Sequence, residues 1–231
     1  MPIVNGTNMT FVKGAHTGCK SLYALEDSDI ESTADLKGKS VGLPAGIASS
    51  DHNITLRFFN HDGINPDEVN YKPVELSASI LALQSGDIEG VILGDQFAEQ
   101  FLNDGTLKMV RSLTYDDDFS KEPCCIYGFN GDFAEENPLI VKEMCEAIED
   151  VHKLITDKPE EAVKVLMDNN WVSGDFDQCV RMISSYNWDC NEEVTEKALK
   201  DIIKDYKEFD LIQSDLSEEE LLNKVWEPVG I

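Results

Sequence analysis

Basic residues are scarce in this sequence: Lys and Arg together number 19 against 45 Asp and Glu, a formal net charge of −26. So acidic a surface repels phosphate backbones and anionic lipid, which excludes nucleic acid and membrane surfaces as partners. Arginine occurs only at Arg57, Arg111 and Arg181, none in a predicted binding loop. A doubly charged anion would therefore find no guanidinium fork and would depend on helix termini and neutral donors. The opening MPIVNGTNMTFVKG has neither a basic n-region nor an apolar h-region, and no run is long enough to span a bilayer, so the chain as written reads as neither exported nor membrane-inserted. Six cysteines (Cys19, Cys124, Cys125, Cys145, Cys179 and Cys190) are too sparse for a disulfide scaffold and contain no C-x-x-C pair, so neither a metal site nor a cofactor is expected. The neighbours Cys124 and Cys125 should point to opposite faces of a strand, which opposes a bond between them. Glycines are too few and badly spaced for a dinucleotide fingerprint or P-loop. A Ser-His-Asp order, a metal-spaced histidine pair and a positioned lysine are all missing, so no catalytic residue is assigned. No period of about 20–50 residues marks a solenoid.

What is present is a chain of 231 residues, 42% hydrophobic, enough for one large domain or two lobes with proper cores. Residues 9–25 read as two strand-like pieces broken at Gly14 to Gly18. From there strands and helices alternate. SVGLP is a strand, SSDHNITLRFFNHDG a helix stopped at Gly63, and EVNYKPVE a strand. LSASILALQSG is a helix ending at Gly86, IEGVILG a buried strand, DQFAEQFLNDG a helix ending at Gly105, and LKMVRSL a strand. This alternation predicts an α/β fold with a largely parallel sheet covered by helices on both faces. After the acidic loop DDDFSKEP, CCIYGFN is a further strand, and the remainder is mostly helical, with Pro138 suited to a first helical turn.

In an open parallel sheet, ligands sit at the carboxyl ends of strands. LPAGIASSDHN is such a strand end: Gly46 permits a close backbone approach, and Ser49, Ser50 or Asp51 can cap the next helix, whose free N–H groups suit an anion or polar ligand. Asp95 and Gln96 stand at a second strand end, Asp95 reading as a cap and Gln96 as a contact. His16, Thr17 and Cys19 lie on the glycine-broken segment, and Cys19, Cys124 and Cys125 could converge into a three-thiol metal or thiolate site, with small apolar thiols the favoured reading. Tyr127 and Trp171 offer apolar walls, although core packing is favoured for both.

The ordered segments IESTADLKGKSVGLPAG, LALQSGDIEGVILGDQFAEQF, FAEENPLIVKEMCEAIEDV and KPEEAVKVL resemble the solute-binding proteins of the nitrate, sulfonate and taurine class of ABC importers. GAHTGC and EPCCIYGF look like a cysteine-bearing subgroup of that class. The resemblance implies a two-lobed, type II periplasmic-binding-protein fold with lobe one incomplete. Residues 1–21 would be a remnant of lobe one and its first crossing, 22–125 lobe two, and 126–231 the return strand and helical part of lobe one. It also implies a small polar organic molecule or oxyanion held between the lobes by His16, Thr17, Cys19, Gly46, Ser49, Ser50, Asp95, Gln96, Cys124 and Tyr127. ABC permease subunits would be partners, self-association would follow through the incomplete lobe, and location would be extracytoplasmic if the full-length gene supplies a signal peptide. Three alternatives stay open. One is an enzyme like the fungal thiamine-pyrimidine synthases, which resemble this fold and carry cysteine-rich motifs. Another is a cytoplasmic sensor like the effector domains of LysR-type regulators, and the third is a truncated copy that binds nothing.

Overall fold

A computed structural model describes residues 2–230. The chain forms two compact units, one built from the residues up to Gly18 together with those from Ser120 onward, the other spanning Cys19–Phe119. In chain order, strand β1 (Met9–Thr17) belongs to the first unit. The second unit contains β2 (Lys20–Leu25), β3 (Ser40–Leu43), α1 (Ser50–His61), β4 (Asn70–Pro73), α2 (Ser79–Ser85), β5 (Gly90–Gly94), α3 (Asp95–Asn103) and β6 (Leu107–Ser112). The chain then returns to the first unit through β7 (Pro123–Asn130) and the helices α4 (Gly131–Glu136), α5 (Pro138–Asp157), α6 (Pro159–Asp168), α7 (Phe176–Ser185), α8 (Glu192–Glu208) and α9 (Glu218–Val225).

The second unit is an α/β sheet of order β4-β3-β5-β2-β6. Its strand β3 runs parallel to β4 and β5, but β2 is inserted antiparallel between β5 and β6. Four of the five strands thus run one way, as expected, and β2 alone runs against them, making the sheet mixed. Flanked by strands on both sides, β2 buries Ser21, Leu22, Tyr23 and Ala24 in succession, as a strand covered on both faces must. One face packs Tyr23, Leu83, Ile88, Val91, Leu93, Ala98 and Leu107 into a continuous core. The two polar side chains that face each other across β2 and β6 satisfy each other, Ser21 Oγ donating to Ser112 Oγ at 2.7 Å.

In the first unit β1 and β7 pair antiparallel. The strand break expected over Gly14 to Gly18 comes at its far end: β1 continues through Thr17, and the turn is at Gly18 and Cys19, both in the left-handed region (φ 80° and 84°). Gly14 is required for another reason, since a Cβ there would lie 2.4 Å from Thr195 Oγ1 and 2.7 Å from Cys190 Cβ, so α8 approaches the strand backbone directly. Phe11 and Ile126 pack against Leu199, Ile203, Leu221, Leu222, Val225 and Trp226, while Val12, Tyr127 and Phe129 pack with Val141 and Cys145 of α5. Helix starts follow their sequence signals, with Asn191 accepting from the Val194 N–H at 2.9 Å and Ser217 and Glu220 forming a capping box. No helix among the described residues is long and apolar enough to cross a membrane.

Candidate functional site

The loop after β3 in the second unit turns on Gly46, at φ +84° with open space where a Cβ would stand, and on Ala48, at φ 63°. This delivers Ser49 in an extended conformation to the amino terminus of α1. Its hydroxyl accepts from the Asp51 and His52 N–H groups at 3.2 and 3.5 Å and donates to the Gly46 carbonyl at 2.7 Å. Ser49 is therefore the helix cap, and Ser50, the first helical residue, remains exposed. Asp51 does not face solvent: 2% exposed, it accepts from the Ala45 N–H at 2.8 Å and pairs with the Lys20 ammonium. Lys20 is thus a positioned lysine that sequence reading missed, because its partner lies 31 residues away on another element.

At the end of β5, Asp95 is the first residue of α3 but does not cap it. Its carboxylate turns inward, 3% exposed, and accepts from Tyr23 Oη at 2.7 Å and from Thr114 Oγ1. Burial, together with the Asp95 charge, pushes the Tyr23 phenol well above its ordinary range. Both its cap role and its availability to a ligand are corrected by these contacts, whereas Gln96 is exposed. Cys19, at the start of this unit, is held by its backbone, its N–H donating to Thr114 Oγ1 at 3.0 Å and its carbonyl accepting from Asp95 N at 3.0 Å.

In the first unit His16 and Thr17 close β1 beside the start of β7. Thr17, 3% exposed, is committed to Asn187, receiving its N–H at 3.1 Å and donating its own N–H to the Asn187 carbonyl at 3.0 Å. His16 is half-buried, stacked on Tyr186 (centroids 5.2 Å apart) and tilted against Trp188 (4.9 Å). Burial would lower its basicity, but hydrogen bonds with Cys125 and the Thr17 carbonyl outweigh that and raise it. Tyr127 Oη lies 3.1 Å from Nε2 of His152, a buried histidine whose basicity burial and the nearby Lys13 depress. His152, Trp188, Glu149 and Asp189 line a cavity of about 230 Å³. Sequence reading missed Tyr186 and Trp188, two residues apart in SYNWDC, because they meet His16 only through contact across about 170 residues of chain. Trp171, expected in a core, is 70% exposed.

The adjacent cysteines also differ from expectation. The β1–β7 register passes from His16↔Cys125 to Thr17↔Pro123, leaving Cys124 as the extra residue of a bulge. Their Sγ atoms consequently stand 3.6 Å apart instead of on opposite faces, and Cys124 Sγ lies 3.8 Å from His16 Nδ1. Cys145 and Cys190, by contrast, are buried, and burial pushes the Cys190 thiol up to about 11.

The NMT1/THI5 like family model matches residues 9–162, well over half of the chain, and the chain belongs to that family. No curated protein matches the sequence significantly. Among solved structures, the periplasmic aliphatic sulphonate binding protein SsuA from Escherichia coli is similar at TM-score 0.75 and 18% identity, over 97% of this chain and 76% of that one. The alkanesulfonate-binding protein SsuA from Xanthomonas axonopodis pv. citri, bound to MOPS, is similar at TM-score 0.75 and 15% identity, over 97% and 76%. The periplasmic nitrate-binding protein NrtA from Synechocystis PCC 6803 is similar at TM-score 0.71 and 12% identity, over 96% and 66%. At such identities the likeness establishes the type II periplasmic-binding-protein fold, and the ligand is a separate question.

Proposed function

We propose that this chain is the solute-recognition component of an ABC-type importer, binding a small polar organic molecule or oxyanion of the sulfonate or nitrate kind without altering it. The observation that carries the reading is the amino terminus of α1, presented at a strand end by the turn at Gly46 and followed by the exposed Ser50, within a fold shared with sulfonate- and nitrate-binding proteins. Helix N–H groups and hydroxyls suit an anionic headgroup, and with Lys20 already neutralised by Asp51 the site favours a singly charged one. Gln96, exposed at the end of β5 in the same unit, is a further proposed contact. Permease subunits are the proposed partners and an extracytoplasmic compartment the proposed location, in line with the periplasmic relatives.

Calorimetry of the full chain with MOPS, taurine and nitrate tests the proposal. At least one should bind with a Kd of roughly micromolar order, and Ser50→Ala should weaken it about tenfold. Ser49→Ala should act mainly on stability, costing about 1 kcal/mol as a lost cap. Absence of binding by the whole panel, or an unchanged affinity in Ser50→Ala, overturns the reading.

A further inference from the structure

Two adjacent cysteines in a regular strand cannot serve one ligand, because their side chains diverge. Here the bulge at Cys124 reverses that and gathers both thiols beside His16 on the neighbouring strand. The donor atoms of His16, Cys124 and Cys125 all lie within 4.8 Å of one another. Their spacing is informative. A tetrahedral zinc with Zn–S of about 2.3 Å and Zn–N of about 2.0–2.1 Å places two sulfurs about 3.8 Å apart and sulfur and nitrogen about 3.6 Å apart. The observed separations, 3.6 Å between Cys124 Sγ and Cys125 Sγ and 3.8 Å between Cys124 Sγ and His16 Nδ1, are edges of such a tetrahedron.

We propose that His16, Cys124 and Cys125 form a binding site for a thiophilic divalent cation of the zinc class. Thiolates and imidazole select such an ion over magnesium or calcium, which require oxygen ligands. The imidazole is fixed by Tyr186 and Trp188, so one ligand is oriented before the ion arrives. Cys125 is exposed and Cys124 half-buried, which gives the ion a way in, unlike the buried Cys145 and Cys190. Binding exchanges protons for metal: the two thiols release two protons, the imidazole binds through a ring nitrogen freed of its hydrogen, and no electron is transferred. The site uses β1 and β7 rather than the loop at α1, so it stands or falls apart from solute binding.

The test titrates the reduced full chain with Co(II), then with Zn(II) as competitor. A single equivalent of cobalt should give thiolate-to-metal charge-transfer absorption and the visible bands of a tetrahedral ion, both lost on adding zinc. Cys124→Ser with Cys125→Ser should weaken zinc at least about a hundredfold and His16→Gln at least about tenfold, while Cys179→Ser should leave it unchanged. Should the double variant fail to fold, alkylation mapping on the wild-type protein decides: zinc should protect Cys124 and Cys125 and leave Cys179 reactive. Failure to see a tetrahedral cobalt spectrum, affinity indifferent to the two substitutions, or equal alkylation with and without zinc overturns the proposal.

Discussion

Replacing Lys20 by Met isolates what the buried ion pair at the start of α1 contributes. Methionine keeps the aliphatic stem and deletes the ammonium, leaving the Asp51 carboxylate, 2% exposed, without its cation but still accepting from the Ala45 N–H at 2.8 Å. Breaking a fully buried pair costs about 3–5 kcal/mol because a charge is left uncompensated. The Lys20 side chain is 27% exposed, so water screens part of the interaction and the expected cost falls to roughly 2–3 kcal/mol. For a chain of this size that corresponds to a midpoint lower by about 5–10 °C. Lys20→Met with Asp51→Asn should recover at least about half of the loss, since the amide keeps the shape and an acceptor for Ala45 but carries no charge. The two units need separate probes. All three tryptophans, Trp171, Trp188 and Trp226, lie in the first unit, so their fluorescence monitors that unit, while hydrogen exchange in α1 and β3 follows the second. A single variant within about 0.5 kcal/mol of wild type, or a double variant no better than the single, refutes the argument that the lysine offsets a buried charge.

Gly14→Ala should destabilise the first unit by roughly 1–3 kcal/mol, because the new methyl would meet Thr195 Oγ1 and Cys190 Cβ at 2.4 and 2.7 Å; an unchanged tryptophan-monitored transition would mean that α8 yields freely. Glu149, whose carboxyl the Lys13 hydrogen bond holds below its ordinary value of 4.5, should stabilise the first unit fully above that pH and progressively less as pH falls through its lowered folded value. Glu149→Gln should accordingly flatten the acid side of the stability profile, and an identical profile would show that the pair contributes nothing.

Local signals were read directly from the sequence wherever the deciding interaction is local. The glycine stops at Gly63, Gly86 and Gly105, the Ser49 turn and the proline at the start of α5 each depend on a few neighbouring residues, and each element lies where those residues put it. The errors have a common origin in pairings across long stretches of chain. Alternation of strands and helices says that a sheet exists but not that β2 enters it antiparallel between β5 and β6, since either direction buries the same side chains. Asp95 looks like a cap from its neighbours, yet its partners Tyr23 and Thr114 lie 72 and 19 residues away. Thr17 is claimed by Asn187 over a separation of 170 residues. The cysteine pair is the sharpest case. Period-two alternation is a property of one strand, but a bulge is a property of two, and only the register of β7 against β1 determines whether Cys124 and Cys125 diverge or converge. The chemistry of the thiols was therefore visible in the composition, while their capacity to act together resides in a single extra residue of strand pairing.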